Sequence, residues 1–289
     1  MTSDWIYQRT GILTRSKASK DETMNVMCSN AIHAAIAGLP YNIGDVDLII
    51  FASYTPSDTV ATTAHAMQRE FKIKKTKAFY LSSACSSAIN AMEIIQSFFA
   101  TGKATKALLI SAERNSTYIN EDDPNSGHLW GDAAAAFFFS KNRYSDNEAE
   151  VIDIETKGLG HIGFGVAAVF LNLKDTGLVM PYGKDVFTQA CKQIAQNAKQ
   201  IVERNGISIN DLAWFIGHQA NMRILSHVVK NLGIAAEKSL SNIAELGNTG
   251  SVSALLVYAQ NVGRFQKDDK VCLSVFGGGY SAGACLIRC

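Results

Sequence analysis

Short runs of branched and aromatic residues alternate along this chain with stretches of about a dozen residues that carry apolar positions at helical spacing. After a polar opening, residues 22–37 read as a helix that Gly38 and Pro40 close. Residues 46–52, Val-Asp-Leu-Ile-Ile-Phe-Ala, predict a buried strand. A helix over 60–71 leads to a second strand, Ala78-Phe79-Tyr80-Leu81, and then to residues 88–99. That helix is apolar around most of its surface and belongs inside, covered on several sides. Residues 106–112 predict another strand. The later part repeats the order: a helix over 185–204, a strand over 212–217, and helices over 221–232 and 251–262. Paired strands over 270–276 and 282–288 flank Gly277-Gly278-Gly279. This alternation calls for mixed sheets covered by helices. It suggests a duplicated α/β unit, with one half over 1–145, a connecting region over 146–183 and a second half over 184–289. Gly158, Gly160, Gly163 and Gly165 mark 157–181 as loop or irregular strand.

Composition narrows the function classes. A chain of 289 residues buries roughly three quarters of its extended surface, enough for a large core without metals or disulfides. A net charge of +1 with 18% charged residues leaves no single-sign field, which argues against nucleic acid as partner. The six cysteines are widely spaced without a CxxC pair, so zinc and iron–sulfur binding are not indicated. The start lacks a signal-peptide pattern, and no apolar run reaches membrane-spanning length. A cytoplasmic protein with reduced thiols, not inserted in membrane, is expected. The glycines form neither GxxxxGK[ST] nor a GxGxxG after a strand, which sets aside nucleotide hydrolysis and a dinucleotide site.

Candidate chemistry centres on Cys85. It lies in the small-residue turn Ser82-Ser83-Ala84-Cys85-Ser86-Ser87 between a strand and a helix. Helix amides behind such a thiol favour the thiolate, the form that covalent catalysis needs. A cysteine there is otherwise a small residue packed beneath a helix. Two more polar sites sit in equally tight contexts, His218-Gln219-Ala220-Asn221 and Gly247-Asn248-Thr249-Gly250. Taken singly, His218 reads as a structural histidine, Asn248 as a turn residue and Asn221 as a helix N-cap.

Together with Asp4-Trp5-Ile6, Arg9-Thr10-Gly11-Ile12, Gly131-Asp132-Ala133-Ala134 and Phe276-Gly277-Gly278-Gly279, these motifs form an ordered set over nearly the whole chain. In that order the chain resembles the thiolase-fold ketosynthases, specifically 3-oxoacyl-acyl-carrier-protein synthase III and its secondary-metabolism relatives. The resemblance implies a thiolase-like duplicated five-layer α-β-α-β-α fold and a homodimer, or a heterodimer with a homologue. It implies decarboxylative Claisen condensation of an acyl thioester primer with a malonyl-type thioester, in fatty-acid initiation or specialised polyketide synthesis. Cys85, His218 and Asn248 take the catalytic places, with backbone amides of Cys85 and Gly279 as the oxyanion site. No tightly bound cofactor is implied; coenzyme A or phosphopantetheine thioesters are substrates, and acyl carrier protein is a partner. Asp132 reads as a structural brace.

Several positions depart from the family pattern. Members begin with about thirty more residues, and the comparison predicts loss of an interior strand from the first sheet. Trp5 falls where the family stacks on adenine, yet the partnering arginine aligns with Pro124. Trp5, Arg9, Val60 and Asn221 make up the implied substrate-contacting set. Arg223 and Lys230 match basic carrier-docking positions, whereas the next such position is Asn231. Val60 replaces a bulky aromatic that closes the primer pocket across the dimer, which leaves room for medium-chain or branched primers. Two other functions stay open: Cys-dependent acyl transfer to an oxygen or nitrogen nucleophile, and a non-catalytic partner subunit of a homologous ketosynthase.

Overall fold

Burial on both faces of the strands builds two sheets that share a helical layer. The computed structural model describes residues 1–58, 60–146, 148–173 and 177–289; parts of the expected connecting region, 147 and 174–176, lie outside it. A short helix α1 (Ser3–Thr10) precedes α2 (Met24–Ile36), β1 (Leu48–Ala52), α3 (Thr63–Glu70), β2 (Lys77–Leu81), α4 (Ser87–Ala100) and β3 (Lys106–Glu113). Then come β4 (Ala133–Ser140), β5 (Glu150–Gly158), the small hairpin β6 (Phe170–Asn172) and β7 (Gly177–Val179), and α5 (Gly183–Arg204). The chain ends with β8 (Trp214–Gly217), α6 (Met222–Leu232), α7 (Ile243–Leu246), α8 (Ser253–Asn261), β9 (Lys270–Gly277) and β10 (Ser281–Arg288).

The first sheet runs β2-β1-β3-β4 and the second β5-β10-β9-β8. In β1, Leu48, Ile50 and Ala52 join the core shared with α4 and α8, while Ile49 and Phe51 pack beneath α2 and α3. β9 alternates likewise: Val271, Leu273 and Val275 face α4 and α8, and Cys272 and Phe276 face α5 and α6. The layers are therefore α2/α3, first sheet, α4/α8, second sheet and α5/α6, the five-layer α-β-α-β-α arrangement. Fully burying a branched side chain contributes about 1.5–3 kcal/mol, so strands apolar on both faces fix this stacking.

The two sheets repeat one plan. β1 runs parallel to β2 and β3, with β4 antiparallel to β3. β8 runs parallel to β9, with β10 antiparallel to β9, and Phe215 bridges Ser239 on its other side.

Two expectations are corrected, and a third, of loop or irregular strand over 157–181, is kept. The first sheet has no interior gap, because β1 pairs directly with both β2 and β3 and each inner strand has its two ladders. The second sheet draws on β5, paired with β10 along its length, so that half starts near residue 150 rather than 184. Within the glycine-rich stretch 157–181, β6 and β7 pair as a short hairpin. Among the described residues, no helix is long and apolar enough to cross a membrane.

Candidate active site

The ends of β2 and β9 approach one another at Cys85 and Gly277; Cys85 and His218 follow β2 and β8, and Asn248 lies in the turn before α8. Cys85 sits four residues past β2, where Ala84 adopts φ +48°, a left-handed backbone that a non-glycine residue holds at a cost of about 1–3 kcal/mol. Two hydrogen bonds brace the bend: Ser83 N donates to Ser87 Oγ at 2.7 Å, and Ser87 Oγ donates to Ala84 O at 2.6 Å. The bend presents Cys85 to the end of β9. A Cβ on Gly277 would lie 2.6 Å from Cys85 N, so only glycine allows this approach.

The amides of Gly278 and of Cys85 itself both favour the thiolate. The amide that bears on the sulfur is therefore that of Gly278, one residue before the expected Gly279. Gly277 still belongs to β9, the next amide turns in toward the sulfur, and Gly279 has already swung to φ +118°. A second expectation changes sign. Burial, reinforced by Glu113, pushes the Cys85 thiol up to about 12 against the pull of the two amides, so the resting group is a thiol.

His218 is buried directly after β8 and is fastened to β9 by its amide, which donates to Ser274 O at 2.9 Å. Its Nδ1 lies 2.8 Å from Ser253 Oγ, which also accepts from Gln219 N at 3.4 Å. Among the described residues Ser253 Oγ has no other acceptor within hydrogen-bond distance, and we assign its O–H as donor to Nδ1. The histidine proton then resides on Nε2. Burial pulls the His218 pKa down to about 4, so the ring is neutral near pH 7 and offers one N–H donor.

Asn248 is buried between two strand-like contacts: its N donates to Leu129 O at 2.8 Å, and its O accepts from Gly131 N at 2.9 Å. The side-chain Oδ1 accepts from Gly250 N at 3.0 Å. That contact fixes which end of the amide faces the turn, and Nδ2 makes no hydrogen bond among the described residues. Gly250, at φ +63°, is wedged where a Cβ would meet Tyr54 Oη at 2.4 Å. Ser251, one residue on, lies 3.2 Å from Ser111 Oγ and donates to the buried Glu113 carboxylate. A closed circuit results, from Cys85 to Gly277, along β9 to His218, across Ser253 to the Asn248 turn, and through Ser251 and Glu113 to the ends of β1 and β3.

The remaining expected residues divide. Asp132 is buried and accepts from Ala18 N at 2.8 Å, Ser116 N at 2.8 Å and Ser116 Oγ at 2.5 Å, which makes it a brace beside the Asn248 turn. Asn221 caps α6: its Oδ1 accepts from Arg223 N at 2.8 Å and its Nδ2 donates to Arg9 O at 3.3 Å, so both ends of its amide are engaged. Trp5, half-buried on α1, meets the edge of His128 at 5.5 Å and carries the Arg9 guanidinium 4.4 Å from its ring centre. Arg223 and Lys230 line a surface groove between α1 and α6 with Tyr7, Gln8, Met222 and Ser226. Val60 is 80% exposed.

Sequence reasoning missed Ser253 and Glu113. The signal for Glu113 was present, a lone acid ending an otherwise apolar strand; Ser253 was hidden in a run of small residues.

Comparison with known proteins agrees with this geometry. Residues 79–160 match the model of 3-oxoacyl-[acyl-carrier-protein (ACP)] synthase III, and residues 202–289 match its C-terminal model. A beta-ketoacyl-[acyl-carrier-protein] synthase III of Ehrlichia ruminantium is 32% identical over 99% of this chain and 91% of its own length. The crystal structure of the Aquifex aeolicus 3-oxoacyl-[acyl-carrier-protein] synthase III superposes with a TM-score of 0.92 at 28% identity, covering 100% of this chain and 92% of that one. The priming beta-ketosynthase of a polyketide biosynthetic pathway superposes with a TM-score of 0.89 at 26% identity, covering 100% of this chain and 88% of that one. The chain belongs to the 3-oxoacyl-[acyl-carrier-protein] synthase III family of the thiolase superfamily.

Proposed function

We propose that Cys85, His218 and Asn248 carry out a decarboxylative Claisen condensation that starts a fatty-acid or polyketide chain. The observation that carries the assignment is the Ser253–His218 hydrogen bond, because it turns the imidazole into an Nε2–H donor beside an asparagine whose Oδ1 is already occupied. Two neutral donors suit an enolate oxygen, whereas a general base would need a free ring nitrogen facing the substrate.

In the first half-reaction the Cys85 sulfur attacks the acyl thioester carbonyl. The tetrahedral oxyanion is held by the amides of Cys85 and Gly278, the pantetheine thiolate departs, and the cysteine proton ends on that thiolate. In the second half-reaction the malonyl-type thioester loses carbon dioxide. The electron pair of the breaking carbon–carbon bond becomes an enolate whose oxygen accepts from His218 Nε2 and Asn248 Nδ2, while the carboxylate leaves as carbon dioxide. The enolate carbon attacks acyl-Cys85, a carbon–carbon bond forms, and the cysteine sulfur leaves and is reprotonated. Each oxyanion donor is worth about 2.7–4 kcal/mol, or roughly 10²–10³ in rate.

Acyl carrier protein is the proposed carrier of at least one substrate. Arg223 and Lys230, both exposed on α6 beside the α1 groove, suit its acidic surface. Trp5 and Arg9, stacked together on α1, are the proposed contacts for the pantetheine or coenzyme A arm. A homodimer is proposed because Val60 can close a primer pocket only from a neighbouring subunit. The test combines an acyl thioester and a malonyl thioester with the protein and analyses the products. A 3-oxoacyl thioester with an equivalent of carbon dioxide supports the reading. An ester or amide formed without carbon dioxide would replace it with acyl transfer, and no covalent acyl-enzyme would leave a non-catalytic subunit.

A further inference from the structure

Glu113 is a fully buried carboxylate that no cation pairs with among the described residues, at the end of β3 in the layer that holds the site. Its oxygens accept from Thr55 Oγ1 at 2.5 Å, Thr55 N at 3.1 Å, Ser53 Oγ at 3.1 Å and Tyr54 N at 3.1 Å, all just past β1. The remaining donor is Ser251 Oγ, from the turn that carries Asn248. Neither half-reaction uses this group. A purely structural site of this shape would be met more cheaply by an amide or an apolar side chain, because burying an uncompensated charge is costly.

We propose that Glu113 is the positioning residue of the decarboxylation step: by gripping Ser251 from the ends of β1 and β3, it sets where the Asn248 amide stands relative to Cys85. This rests on the condensation reading above and adds a residue to it. The packing leaves the turn little alternative, since a Cβ on Gly250 would meet Tyr54 Oη at 2.4 Å and Glu113 Cγ at 2.8 Å. Tyr54 Oη in turn donates to Asn115 Oδ1 at 2.9 Å, and Asn115 Nδ2 donates to Gly131 O at 2.7 Å, beside the Asn248 backbone. The carboxylate thus closes a polar ring around the turn.

The ionised form fits this ring, because five donors converge on an acceptor-only group. Protonation puts a hydrogen where one of them points. Burial holds the Glu113 pKa up at about 7, so the grip loosens as pH falls through neutrality. The titratable groups that face it are Cys85, Cys28, Tyr54, Tyr80 and Tyr118, all held above their ordinary ranges and neutral from pH 5 to 9. His218, nearer the enolate site, is also neutral over that interval.

The test uses Glu113→Gln, which keeps the shape, and Ser251→Ala, which removes the gripped hydroxyl and leaves the carboxylate. Intact mass follows acylation of Cys85, and carbon dioxide release follows the second step on pre-acylated enzyme. Glu113→Gln also removes the charge that helps hold the Cys85 thiol up, so it should acylate no slower than wild type, and it should release carbon dioxide with kcat lowered about 10- to 100-fold at unchanged KM, the range for a partly displaced oxyanion donor. Ser251→Ala should show the same split. The wild-type rate should fall as pH drops through about 7, and Glu113→Gln should lack that limb. Wild-type carbon dioxide release in both variants, an equal loss of acylation and decarboxylation, or a pH limb that persists in Glu113→Gln would overturn the proposal. If wild-type enzyme itself fails to acylate, the condensation reading falls first, which separates the two.

Discussion

Ser253→Ala isolates the tautomer argument, because it removes one hydroxyl and leaves every candidate catalytic side chain in place. Ser253 is fully buried at the first turn of α8, so no solvent hydroxyl can take over at His218 Nδ1. The lost hydrogen bond spans 2.8 Å. A buried acceptor left without a partner costs about 1–3 kcal/mol. The imidazole relieves that cost by rotating or by moving its proton to Nδ1, and either change removes the Nε2–H donor. The ceiling is therefore complete loss of one oxyanion donor, roughly 10²–10³ in rate. A ring that keeps the right tautomer for part of the time loses less, about 1.4–2 kcal/mol or 10- to 30-fold. The assay is carbon dioxide release from a malonyl thioester by pre-acylated enzyme, with acylation followed by intact mass. Nitrogen-15 shifts of the His218 ring should report an Nε2–H tautomer in the wild type and a mixture or inversion in the variant. Acylation should stay within about threefold of wild type. A variant that releases carbon dioxide at the wild-type rate, or whose wild-type parent carries the proton on Nδ1, would refute the reasoning.

Other outcomes follow from the same geometry. Gly277→Ala should lose both half-reactions together, because the new Cβ would sit 2.6 Å from Cys85 N and must push the nucleophile turn off the oxyanion amides; acylation rates and thermal stability check it. The His218 pKa is depressed from 6.5 to about 4, so its contribution to stability is present above pH 6.5 and lost as pH falls through 4. Denaturant titrations of wild type and His218→Gln should diverge over that window by about 3 kcal/mol in total. Val60→Phe should shift selectivity toward short primers, with octanoyl kcat/KM lowered about 10- to 100-fold and acetyl transfer little changed. Competition between acetyl and octanoyl thioesters checks it, and an unchanged preference would move Val60 away from the pocket.

Much of the site was legible because its three chemical residues each stand beside a glycine or small-residue turn that punctuates an apolar run. Cys85 follows the strand now seen as β2, His218 follows β8, and Asn248 precedes α8. Their proposed meeting was not legible from spacing, since the contacts that support it, Gly277 against Cys85 and Ser253 against His218, join residues far apart in sequence. That Gly278 rather than Gly279 bears on the Cys85 sulfur was hidden, because three consecutive glycines look alike until β9 is seen to include Gly277. The state of the Cys85 thiol also escaped: the helix behind it was predictable, but its desolvation and the nearby Glu113 were not. The strand β5 was read as charged linker because Glu150, Asp153 and Glu155 interrupt its apolar positions. Asp153 and Glu155 pair with Arg204 on α5, so those charges cover the edge of the sheet. The expected interior gap failed for a topological reason, as the order of strands in a sheet is not the order in the chain.

The central claim is that one cysteine is acylated and two neutral donors then drive decarboxylation. Intact-mass spectrometry combined with carbon dioxide release on wild type, Cys85→Ala, His218→Ala and Asn248→Ala tests it most directly. The account predicts an acyl adduct on wild type and Asn248→Ala but none on Cys85→Ala. It also predicts carbon dioxide release slowed about 10²- to 10³-fold in both His218→Ala and Asn248→Ala. Wild-type levels of acyl adduct on Cys85→Ala, or undiminished carbon dioxide release from the His218 and Asn248 variants, would contradict it.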